Sequence, residues 1–141
     1  MDDEEAVRAA VGGLLQRMGH EVELVDDGQR AVEVYRRARD LDRPFDAVLL
    51  ELTVRAGMGG RETIRALLQI DPAVKAVVVC GSANDPVVLQ PDLYGFKGVV
   101  AKPFDRNKLR EVLAQVMESG GPVTSDQSSV ISDHGSGTSQ P

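Results

Sequence analysis

Glu51 is the residue of this sequence on which chemistry is easiest to place. It directly follows the apolar run AVLL at 47–50. A carboxylate in that position is expensive to bury unless it has partners. Glu51 is therefore either the end of a strand breaking into solvent or the centre of a site. Two other charged features belong beside it. Asp2 and Asp3 stand together at the start of the chain, and Lys102 follows the apolar run VVA at 99–101 and precedes Pro103. Clustered carboxylates with a nearby ammonium suit a hard divalent cation such as Mg²⁺, which takes oxygen ligands and a phosphate. The lysine would then meet the phosphate as a point charge. Plainer readings exist. Asp2, Asp3, Glu4 and Glu5 also suit a helix start, where negative charge complements the dipole. Lys102 also reads as a surface lysine, and Cys80 as a small buried residue. Gly57, Gly59 and Gly60 lack the Lys-Ser/Thr pair of a phosphate-cradling P-loop.

The elements that would hold these residues follow from periodicity. Residues 4–18 predict a helix with one apolar stripe, Val7, Ala10, Val11, Leu14, Leu15 and Met18, and Gly19 suits its C-terminal cap. Residues 21–25 (EVELV) alternate and predict a short strand. Asp26, Asp27 and Gly28 form a turn and cap before a helix at 29–39 with Ala31, Val34, Tyr35 and Ala38 inward, closed by Pro44. The strand at 47–50 and the glycine loop precede a helix at 61–70 burying Ile64, Leu67 and Leu68. The β-branched run at 74–79 predicts a fully buried strand. A short helix over 85–93, a strand at 99–101 and a final helix at 106–118 complete the pattern. That final helix turns Leu109, Val112, Leu113, Val116 and Met117 to one face. Alternation of strands and helices predicts a parallel sheet with helices on both faces and right-handed crossovers. In such a sheet function lies at the carboxyl ends of the strands, where Glu51, Lys102 and the Asp2–Asp3 pair would converge. The chain opens on a helix, although a sheet of this kind normally opens on a central strand.

Composition narrows the function classes. The 141 residues suffice for one domain, 1–118, and from 119 to 141 the chain turns rich in Ser, Gly, Thr and Pro, which predicts a disordered tail. A net charge of −6 and no clustered Lys or Arg argue against nucleic acid. No apolar run approaches the ~20 residues of a membrane span. The single cysteine allows no intrachain disulfide and, with an acidic start unlike a signal peptide, points to the cytoplasm.

The segments DDEEAVR, GHEVELVDDGQRAVEVY, RPFDAVLLELTV, GMGGRETI and GFKGVVAKPF, in this order, resemble the receiver domain of response regulators. They look like the CheY-like receivers fused to the C-terminus of hybrid histidine kinases. The resemblance covers residues 2–117. It implies a flavodoxin-like doubly wound parallel sheet of strand order 2-1-3-4-5, with strand 1 missing here. It also implies two-component phosphorelay signalling as a non-enzymatic module, a histidine kinase or other phosphorelay protein as partner, and no tight small-molecule ligand. Asp2 and Asp3 map onto the metal-binding acidic pair, the carbonyl of Thr53 completes a weak Mg²⁺ site, and Lys102 maps onto the lysine before proline. Glu51 takes the place of the phosphoacceptor Asp and Cys80 that of the hydroxyl residue following the phosphoryl group. Arg55 replaces a proline and Val99 an aromatic switch residue, while Gly59 matches.

These departures touch phosphoacceptor, phosphate sensor and output switch together. Glu51 keeps the charge of Asp but carries it one methylene further out, and a misplacement of ~1 Å can cost about a hundredfold in positioned chemistry. The expectation is a pseudo-receiver in which Glu51 pairs with Lys102. Two rivals are a competent receiver phosphorylated at another carboxylate and a flavodoxin-like ligand-binding module, which no dinucleotide fingerprint supports. A central strand contributes four or five buried residues at roughly 1.5–3 kcal/mol each, comparable with the ~5–15 kcal/mol of a whole domain. Lacking it, the chain is expected to be loosely folded or aggregation-prone alone. Met1 is then expected to be other than the natural start, or the chain a fragment of a hybrid kinase, or a decayed gene product.

Overall fold

The computed structural model describes residues 1–118, and the tail expected at 119–141 lies outside the described residues. The first helix, α1, spans Glu5–Arg17, and α2 spans Gly28–Asp40. Strand β1 (Val48–Glu51) leads through the glycine loop to α3 (Gly60–Ile70) and then to β2 (Ala76–Cys80). Two short helices, α4 (Pro86–Leu89) and α5 (Pro91–Tyr94), precede β3 (Gly98–Ala101) and α6 (Arg106–Glu118). The three strands form one parallel sheet in the order β1-β2-β3, with Leu50 opposite Val78 and Val78 opposite Val99. Helices cover both faces, so the molecule has the flavodoxin-like α/β fold.

Alternation along the strands divides the core. Leu50, Ala76 and Val78 face one side and pack with Ala31 and Tyr35 of α2 and Ile64 and Leu67 of α3. Ala47, Val77 and Val100 face the other and pack with Leu15 of α1 and with Leu109, Val112, Leu113 and Val116 of α6. Because β2 is buried along its whole length, it reads as an unbroken apolar run. Helix starts follow local chemistry. Asp27 accepts from the Arg30 N–H (3.0 Å), Asp85 from the Val87 N–H (2.9 Å) and Asp105 from the Lys108 N–H (2.9 Å), each capping an orphan donor.

The structure corrects three expectations. The helix expected over 85–93 is two helices, because Pro91 cannot donate to the preceding turn and restarts the chain at its own first helical position. The stripe on α1 is only partly buried, with Leu15 inside and Ala10 exposed. Residues 21–25 run extended but form no ladder strand, since a strand needs a neighbour along its length and this stretch has one only at its end.

That neighbour is the start of the chain. The Asp2 N–H donates to the Val25 carbonyl (3.2 Å), and on the other side the Glu51 N–H donates to the Met1 carbonyl (3.0 Å). The Met1 ammonium donates to the Leu49 carbonyl (2.7 Å). Met1 and Asp2 thus occupy two positions of a strand between β1 and residues 21–25. Chain ends usually fray, yet Asp2 is 6% exposed, because these bonds hold it.

Candidate functional site

The carboxyl edge of the sheet is built by three chain ends. Strand β1 delivers Glu51, β3 delivers Lys102, and the two-residue segment beside β1 delivers Asp2. The Lys102 N–H donates to the Cys80 carbonyl (2.9 Å), fixing the end of β3 against β2, and the Lys102–Pro103 peptide is cis. The glycine loop folds back onto the end of β1 as the Gly60 N–H donates to the Leu52 carbonyl (3.1 Å). A Cβ on Gly60 would lie 2.8 Å from the Glu51 carbonyl oxygen, so the approach requires glycine.

Lys102 Nζ sits 2.5 Å from Glu51 Oε1 and 3.6 Å from Asp2 Oδ2. Glu51 Oε1 is buried and has no well-angled hydrogen bond, so the ammonium charge is what compensates it. Glu51 Oε2 takes a long hydrogen bond from the Thr53 N–H (3.4 Å). Asp2 Oδ1 accepts from the Glu4 N–H (2.9 Å), and its backbone carbonyl accepts from Arg8 Nη1 (2.8 Å).

Burial pushes the Glu51 pKa up, and Lys102 opposes the shift. Burial pulls Lys102 down, but the Glu51 carboxylate and then Asp2 outweigh it, leaving the lysine raised. The two shifts disagree on whether the pair is favourable. With an ammonium in contact distance of one carboxylate and a second close by, the ionised pair is the state the geometry supports. Burial also lowers the Met1 amine, from 8.0 to about 6.

The remaining sequence-predicted residues are placed differently. Asp3 faces away from the lysine, accepting from the Arg55 N–H (3.0 Å) and lying 3.8 Å from Arg55 Nε. The Arg55 N–H bond chiefly holds its carboxyl below the usual range. Thr53 is exposed. Cys80 is buried and its thiol is turned onto its own loop, donating to the Ser82 carbonyl (3.4 Å) and accepting from the Ser82 N–H (3.3 Å). Val99 packs against the core. Among the described residues, no group of three or more His, Cys, Asp or Glu side chains converges as a metal site.

Three participants were not singled out as site partners from sequence. Arg55 was noted only as a missing proline, yet its side chain reaches Glu4 Oε2 (3.2 Å) as well as Asp3. Arg8 and the Met1 ammonium also join the edge. These contacts are set by where α1 and the loop after β1 come together, which no local spacing encodes; the charge of Arg55 opposite an acidic chain start was the one available hint.

A parallel α/β layer with two buried carboxylates around one lysine at the carboxyl ends of its strands is the arrangement of a flavodoxin-like module. The family model of the response regulator receiver domain matches residues 1–114. The chain belongs to that family: it is a CheY-like receiver domain of two-component signalling. It is 29% identical over 119 residues to the chemotaxis protein CheY of Treponema pallidum, covering 84% of this chain and 80% of that one. It is 30% identical over 123 residues to the sensor histidine kinase AruS of Pseudomonas aeruginosa, which covers 82% of this chain but only 11% of the kinase. Among solved structures, the receiver domain of the sensor histidine kinase PA1611 from Pseudomonas aeruginosa superposes with a TM-score of 0.73 at 23% identity, over 84% of this chain and 94% of that one. That structure holds a magnesium ion in its active-site cleft. NtrX from Brucella abortus, of which this chain spans 26%, gives a TM-score of 0.73 at 24% identity. At these identities the structural likeness speaks for the fold. No helix among the described residues is long and apolar enough to cross a membrane.

Proposed function

We propose that this chain is a pseudo-receiver: a receiver domain whose phosphoacceptor position is filled by Glu51 and whose site is held closed by Lys102. The observation that carries the reading is the lysine lying between Glu51 Oε1 (2.5 Å) and Asp2 Oδ2 (3.6 Å). The positive charge that would meet an incoming phosphoryl group is already neutralised. At the position of the phosphate-following hydroxyl, the Cys80 thiol, a weak donor, is engaged with Ser82. With Val99, partly buried against the core, at the switch position, no aromatic side chain is available there to move on activation.

The oxygen donors Asp2, Asp3 and the Thr53 carbonyl are of the chemistry Mg²⁺ prefers, and the PA1611 receiver holds magnesium in its active-site cleft. Here Lys102 already faces Asp2, and Arg55 holds Asp3. Mg²⁺ binding is therefore weak, competing with two resident cations. The partner is a histidine kinase or another phosphorelay protein in the cytoplasm, engaged through the face formed by Glu51 and α1, with signalling by occupancy instead of phosphorylation.

Intact mass after incubation with acetyl phosphate and Mg²⁺ tests the reading. The expected result is no stable phosphoryl adduct. An adduct that forms on the full chain and is lost in Glu51→Gln would overturn it in favour of a competent receiver.

A further inference from the structure

One guanidinium ties together the segments that follow β1 and β2 at the carboxyl edge of the sheet. Arg61 is the second residue of α3, directly after the glycine loop that folds back onto the end of β1. Its Nη2 donates to Asp85 Oδ1 (3.0 Å), and its Cζ lies 5.7 Å from the centre of the Tyr94 ring. The same Asp85 oxygen accepts from the Val87 N–H (2.9 Å) and so caps the start of α4. Tyr94 is the last residue of α5. Arg61 therefore fastens α3 both to the cap of α4 and to the end of α5.

Residues 81–85 run from the end of β2 to this fastening. Residues 81–84 are exposed, and a Cβ on Gly81 would meet nothing within 4 Å. At the β2 end the stretch is held by the two bonds between the Cys80 thiol and Ser82 (3.3 and 3.4 Å), and a thiol is a weak donor and a weak acceptor. Beyond Asp85, Val87 is fully buried in the core and anchors α4. The stretch is a strap, anchored beyond each end and thinly packed between, where local opening is easiest. Beneath it lies Cys80, 5% exposed, whose carbonyl takes the Lys102 N–H.

We propose that Arg61 is the latch of this strap. Its grip on Asp85 and Tyr94 keeps residues 81–85 closed over Cys80, and releasing it lets the strap lift while the core stays folded. The paired side chains are 45% and 24% exposed, so dissolved ions reach them and screen them. An ion pair this wet holds little alone. The Tyr94 ring adds a cation–π contact to the same group, and a planar guanidinium serves a carboxylate and a ring face together. The latch stands whether or not Glu51 accepts a phosphoryl group.

Cys80 is the single cysteine of the chain, so alkylation of the full chain by the uncharged reagent N-ethylmaleimide reports the strap. Its protection, the ratio of the unfolded to the native rate, is expected to lie at least about tenfold below that of the Val78 amide in hydrogen exchange, because the strap lifts without global unfolding. Arg61→Gln loses both contacts and should speed alkylation about tenfold. Asp85→Asn keeps a side chain able to cap α4 and loses the charge, so it should speed alkylation about threefold. The double variant should match Arg61→Gln, since both substitutions undo one contact. Added NaCl should speed alkylation of the native chain more than that of Arg61→Gln. Equal protection of Cys80 and Val78, an unchanged alkylation rate in Arg61→Gln, effects that multiply in the double variant, or equal salt acceleration in the two chains would each overturn the proposal.

Discussion

Replacing Lys102 by Met leaves two buried carboxylates without their common counter-charge. The side chains of Glu51 and Lys102 are 8% and 29% exposed, so the pair is largely withdrawn from water on the acidic side and partly wet on the basic side. Removing one partner of a buried pair costs about 3–5 kcal/mol, and the partial exposure of the lysine places this case at about 3 kcal/mol. The loss should depend on pH in a definite direction. Lys102 has its pKa raised in the fold, so its contribution is fully present below its ordinary value of 10.5 and disappears as pH rises through the folded value. In Lys102→Met, burial raises the Glu51 carboxyl with only the long Thr53 N–H bond left to oppose it. The folded variant then holds a proton that the unfolded chain releases, so its stability falls as pH rises from the acid side. Urea unfolding of both chains should give a difference of about 3 kcal/mol at pH 7.5, shrinking to under about 1 kcal/mol near pH 4. Adding Glu51→Gln to Lys102→Met should recover more than about 1 kcal/mol, since contacting residues are not additive. A difference at neutral pH below about 1 kcal/mol, or one of equal size at both pH values, would refute the claim that the site is an ionised, closed pair.

Asp46 has a buried, unpartnered carboxylate oxygen, and burial pushes its pKa from 3.8 up to about 7. The folded state retains a proton that the unfolded state releases, so stability falls as pH rises across that window. Asp46→Asn should therefore stabilise at pH 8 by about 1 kcal/mol, discounted for partial exposure, and leave stability at pH 4 unchanged. Equal gains in chemical denaturation at both pH values would exclude a protonation effect. The Tyr35 hydroxyl donates to Asp71 Oδ2 (2.7 Å), which also meets Arg39 Nη1 (2.8 Å). Tyr35→Phe should cost about 1.5–3 kcal/mol, the range for a hydrogen bond to a charged group, and an unchanged thermal midpoint would show that Arg39 alone satisfies Asp71.

The parts of this molecule legible in its sequence are those whose signal is local. The α6 stripe Leu109, Val112, Leu113 and Val116 is buried where periodicity places it, and β2 is buried residue by residue as its β-branched run implies. Glu51 and Lys102 were legible because each is a charge at the end of an apolar run, and the parallel topology brings such ends to one edge. Residues 21–25 failed because alternation reports which face a residue would bury, not whether a neighbouring strand exists to pair with it. The same gap hides what holds Asp2 in place: chain ends usually fray, yet Asp2 is pinned by its bond to Val25 and by Glu51's bond to Met1, partners more than twenty residues away in sequence. The Asp2–Asp3 pair was read as one unit, but neighbours in an extended segment point to opposite sides. Asp2 accordingly turns to Lys102 and Asp3 to Arg55. The first of these contacts neutralises the lysine and the second ties down the loop after β1. An acidic pair that would serve a metal ion if both carboxylates turned the same way is here divided between two cations, and that division, together with the extra methylene of Glu51, is what supports the proposed pseudo-receiver.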